Sequence, residues 1–117
     1  MMEVKADVNN EISLVVIDLL DRVNIIKEDI KKSMMVGERK ILKGVTIFEE
    51  VIKSMNINEV NDDILDQVES RIGLVISSME DKNQKVDHFA HIGIDRCSLM
   101  LYMYNKEINR KKEKILK

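Results

Sequence analysis

Proline is absent from this chain, and glycine, cysteine and aromatic residues are scarce: four Gly, one Cys, two Phe, two Tyr and no Trp among 117 residues. Each shortage excludes something. β-Sandwiches and barrels turn often and place Pro and Gly in those turns. A chain whose only glycines are the isolated Gly37, Gly44, Gly73 and Gly93 has few, long elements instead. With Cys97 alone, no disulfide can form within the chain, and a reducing, cytoplasmic setting is expected. Aromatics at 3% leave the core to Ile, Val, Leu and eight adaptable Met. No apolar run approaches a membrane span, and the opening MMEVKADVNNEI has acids where a signal peptide has an apolar stretch. Net charge is −2, so the chain as a whole does not advertise nucleic acid or an anionic membrane.

What is present is helical periodicity. Val8, Ile12, Val15, Leu19, Val23, Ile26, Ile30 and Met34 recur at steps of three and four, predicting a first helix over about 7–34 with Asp7, Asn9 or Asn10 as its cap. Gly37 breaks it. Ile41, Val45, Phe48, Ile52 and Met55 predict a second helix over 38–55, and residues 56–61 read as a loop. Asn61 should cap a third helix with Asp62 and Asp63 in its first turn, where the helix dipole favours acids. Its stripe is Ile64 or Leu65, Val68, Ile72, Val75, Ile76 and Met79. Residues 80–85 hold no apolar side chain, and Asp81 with Gln84 fits a capping box opening a fourth helix that runs to about 112. That helix has Gly93 in its apolar stripe, at a cost of about 1 kcal/mol against Ala, which close approach of a neighbouring helix would justify.

The expectation is all-α: one domain over 1–117, an up-down four-helix bundle with a basic C-terminal end at about 106–117. Helices 1 and 2 are nearly in phase, as are 3 and 4, so the alternative is a long helical hairpin that dimerises into a four-helix layer.

Three groups could carry chemistry. His88, His91 and Asp95 share one face of the fourth helix and could bind a divalent metal. The helical wheel turns them away from their own core, so the plainer reading is a solvated face. Ile92, Leu99, Tyr102 and Met103 form a second, weaker apolar stripe on or beside that face, and Leu14, Ile17 and Ile25 lie similarly off the main stripe of the first helix. Contiguous exposed apolar surface marks a partner site, here a homo-oligomer or protein contact. The segment from Lys106 to Lys117 has six basic and two acidic residues. It could touch phosphates, but cations also suit a helix C-terminus and no aromatic side chain interleaves to stack on bases.

Asp62-Asp63-Ile64-Leu65-Asp66 has the form of the aspartate-rich magnesium-diphosphate motif of prenyl-transfer enzymes, without their second acidic motif or a chain long enough for their cavity. Cys97 falls on the core stripe, no glycine-rich phosphate loop exists, and no nucleophilic constellation emerges.

In the stretch from Asp87 to Cys97 (DHFAHIGIDRC) and in overall texture, the chain resembles small uncharacterised all-helical proteins of Thermoplasma-group archaea. That resemblance implies a cytoplasmic helical protein and assigns no site residue. An interaction or assembly role, not an enzyme, is the expectation, with metal binding through His88, His91 and Asp95 or nucleic-acid contact through the C-terminus as alternatives.

Overall fold

The structure, a computed structural model, describes residues 13–116: helices α1 (Leu14–Ser33), α2 (Glu38–Ser54), α3 (Asp62–Asp81) and α4 (His88–Leu116). This is an all-α four-helix bundle, and among the described residues there is no strand. No described helix is long and apolar enough to cross a membrane.

α1 begins later than the periodicity predicts. Ser13 is extended (φ −65°, ψ 152°), and its hydroxyl accepts a hydrogen bond from the Val16 N–H at 3.1 Å. The same hydroxyl donates to the Ile57 carbonyl, tying the start of α1 to the loop after α2. A Ser at this position satisfies one of the N–H groups a helix start leaves free. The expected caps Asp7, Asn9 and Asn10 lie outside the described residues. α1 closes at Met34 in a left-handed conformation (φ 48°), and Gly37 follows with φ 75°, a region where glycine is favoured. The break between α1 and α2 is therefore real, and the continuous long hairpin is not the fold of this chain.

α2 is the central element. Ile41, Val45, Ile47, Phe48, Val51 and Ile52 are all buried, and α2 packs against the other three helices. Truncating a fully buried ring such as Phe48 to Ala costs about 3–5 kcal/mol in comparable cores. The core it anchors is aliphatic, with Leu19, Val23, Ile30, Ile57, Val60 and Leu101 closed around it.

α2 and α4 cross almost backbone to backbone. A Cβ at Gly93 would overlap the Ile41 carbonyl oxygen, and one at Gly44 would overlap the carbonyl oxygen of Ala90. Small residues let helix axes approach this closely, so the main-chain atoms gain dispersion contacts that side chains would hold apart. In an ideal square bundle these two helices would be diagonal partners. Their close approach pushes α1 and α3 to opposite sides, and no Cα of one lies within 8 Å of the other.

α3 is capped as expected: the Asn61 Oδ1 accepts from the Ile64 N–H at 2.9 Å. Only Val68 and Ile72 are fully buried on it, while Leu74 (70% exposed) and Val75 face outward. Val75 therefore leaves the core stripe to which its spacing assigned it, while Ile72, Ile76 and Met79 keep the second half of α3 on the core.

The expected capping box at Asp81 and Gln84 does not form. Asn83 is left-handed (φ 62°), its N–H bonds the Glu80 carbonyl at 3.0 Å, and the Gln84 N–H bonds the Met79 carbonyl at 2.8 Å. Those bonds close the C-terminus of α3 in a Schellman motif, so Asp81 and Gln84 belong to an ending, not a beginning. Asp87 opens α4 instead, its Oδ1 accepting from the Ala90 N–H at 3.1 Å. That hydrogen bond, with Lys40 nearby, holds the Asp87 carboxyl below its usual range.

Candidate functional site

α4 is 29 residues long, about 43 Å at the helical rise. Ala90, Gly93, Ile94, Cys97, Leu101 and Tyr104 fill its inner face. The opposite face is open along most of the described side chains of the helix. Leu99 is 59% exposed, Met103 56% and Tyr102 47%. Ile92, expected in the same stripe, is half-buried and rests partly on the core. His88, His91 and Asp95 lie on this open face and are exposed. The Lys106 ammonium sits 5.0 Å from the centre of the Tyr102 ring, a cation–π contact worth about 0.5–1 kcal/mol at an exposed site.

Among the described residues, no group of three or more His, Cys, Asp or Glu side chains is arranged to hold a metal ion. His88, His91 and Asp95 thus share a face without converging within one chain. Asp62, from the aspartate-rich segment, is engaged elsewhere, accepting from the buried Asn105 Nδ2 at 2.9 Å. The basic end of α4 is exposed through Arg110, Lys111 and Lys112, with Ile108 half-buried among them. On α1, Leu14, Ile17 and Ile25 stand exposed.

The interior holds polar features that periodicity does not reveal. Lys27 Nζ of α1 donates to both carboxylate oxygens of Glu49 on α2, at 2.8 and 2.9 Å. Both side chains are largely withdrawn from water. Cys97 of α4 completes the neighbourhood: burial pushes its thiol up to about 12, the Glu49 charge adds to that, and Lys27 opposes it. A thiol so held stays protonated and is a poor nucleophile, so this cluster is structural. Nearer the other end of α1, the Arg22 guanidinium lies 4.8 Å from the centre of the Tyr104 ring and 3.9 Å from Glu107. Burial, and then the Asp18 carboxylate, raise the Tyr104 hydroxyl above its ordinary value. The sequence signal for the first cluster was a charged residue, Glu49, directly after Phe48 and one turn from Val45 and Ile52 on the apolar stripe of α2.

Comparison with protein-family models, with curated proteins and with solved structures finds no match to this chain. The open face of α4 is therefore read on its own chemistry.

Proposed function

We propose that this protein is a non-enzymatic assembly module, and that the outer face of α4, helped by the exposed apolar residues of α1, is its contact surface. The observation that carries this reading is the exposure of Leu99, Tyr102 and Met103 within two turns of one another. Three large apolar side chains left in water on one helical face bury little area in the single chain, and each gains on transfer to an interface. A Tyr at the centre suits this role, since its ring buries area while its hydroxyl keeps a polar partner.

The test is sedimentation velocity on Leu99→Glu and Tyr102→Glu beside the unaltered protein, with circular dichroism to follow helicity. Both positions are exposed, so helicity should be unchanged. A carboxylate forced into an apolar contact must lose its hydration, and the association constant should fall roughly thirtyfold or more. Association equal to that of the unaltered protein in both variants overturns the reading.

A further inference from the structure

Along the open face of α4, the residues His88, Ile92, Asp95, Leu99, Tyr102, Lys106, Asn109 and Glu113 follow one another at alternating steps of four and three. That is the spacing of a coiled-coil seam. All but the half-buried Ile92 are exposed. Two copies of such a seam can meet in two ways. Side by side in the same direction, each residue faces its own copy, so Asp95 would meet Asp95 and Lys106 would meet Lys106. In opposite directions about a twofold axis between Leu99 and Tyr102, the numbers of facing residues sum to 201. Leu99 then meets Tyr102, Asp95 meets Lys106, Ile92 meets Asn109 and His88 meets Glu113.

From this pattern, and resting on the assembly reading above, we infer that the partner is a second copy of this chain, with the two α4 helices antiparallel across a twofold axis at Leu99 and Tyr102. Charge complementarity selects this arrangement. Every ionisable layer of the antiparallel seam opposes acid to base, and the twofold repeats each pair. Neither Asp95 nor Lys106 has an ion-pair partner among the described residues of its own chain. The apolar pair lies at the axis, where the two copies shield it best from water, and the charged layers lie outside it. Arg96 and Arg110 flank the seam with like charge, but they sit at its solvated edge. The Arg96 guanidinium turns back to within 3.8 Å of the Met35 sulfur of its own chain.

Charge reversal tests the orientation. Asp95→Lys and Lys106→Asp are measured singly and combined, by sedimentation equilibrium with helicity monitored. Each single reversal places two like-charge pairs in the antiparallel seam, and like charges across an interface cost enough to raise Kd roughly tenfold or more. The combined variant restores both pairs with signs exchanged, so its Kd should return to within about threefold of the starting value. If Leu99→Glu abolishes association while the single reversals leave Kd unchanged, assembly through α4 stands and the antiparallel register is wrong. A combined variant as weak as the singles also overturns the register. A protein that does not associate at any concentration removes both.

Discussion

Gly93 and Gly73 are both helical glycines, yet they stand in opposite situations. A Cβ on Gly93 would overlap the Ile41 carbonyl, whereas one on Gly73 meets nothing within 4 Å. Alanine removes about 0.4–1 kcal/mol of unfolded-chain freedom at either site. At Gly73 that gain is unopposed, so Gly73→Ala should stabilise the fold by about that amount. At Gly93 the main chains of α2 and α4 must separate, and overpacking of this kind costs about 1–3 kcal/mol or more. Chemical denaturation of the two variants should show midpoints moving in opposite directions. Cys97 supplies a second residue-scale expectation. Its folded value, about 12, lies above its ordinary 9.0, so its contribution to stability is complete below about pH 9 and is lost as pH rises towards 12. Tyr104 shifts in the same direction. Stability should therefore decline on the alkaline side, and the Cys97 thiol should resist alkylating reagents at neutral pH until the chain is unfolded. Rapid stoichiometric alkylation of the native protein would contradict its burial.

At the scale of elements, α1 and α2 are joined by the Lys27–Glu49 ion pair as well as by apolar contacts. Removing only Glu49 strands a mostly withdrawn ammonium, so Glu49→Leu should destabilise by about 1–3 kcal/mol. Replacing both partners, Lys27→Met with Glu49→Leu, should recover most of that loss, since buried pairs often exchange for apolar side chains without penalty. Denaturation of the single and double variants checks it; a double variant as unstable as the single would contradict it. Much of the element plan was legible in the sequence because its signals are local. Asn61 ahead of two aspartates, and Gly37 between two stripes, act within their own turns. The start of α4 was not legible, since Asp81 and Gln84 match a capping box in spacing while the left-handed Asn83 turns them into the end of α3. Ile57 and Val60 lie in a segment read as loop and are wholly buried. A short irregular stretch has no periodicity, so only the three-dimensional packing reveals that its apolar side chains plug the bundle. The open face of α4 could be read from the wheel, because Leu99, Tyr102 and Met103 are offset from the stripe that continues through Gly93 and Cys97. The half-burial of Ile92 depends on how the neighbouring helices tilt, which one helix's sequence does not encode.

For the whole molecule, the close crossing of α2 and α4 organises everything else. It encloses the core between these helices, sets α1 and α3 apart, and leaves the far side of α4 as an uncovered helical face. The proposal that this face pairs with a second copy makes the functional unit a dimer. The most direct measurement is the absolute mass in solution, by size-exclusion chromatography with light scattering, over a wide range of protein concentration. One chain weighs 13.6 kDa. A mass that rises with concentration to twice that value and stops there is the predicted result. A mass fixed at that of a single chain at every concentration would contradict the account.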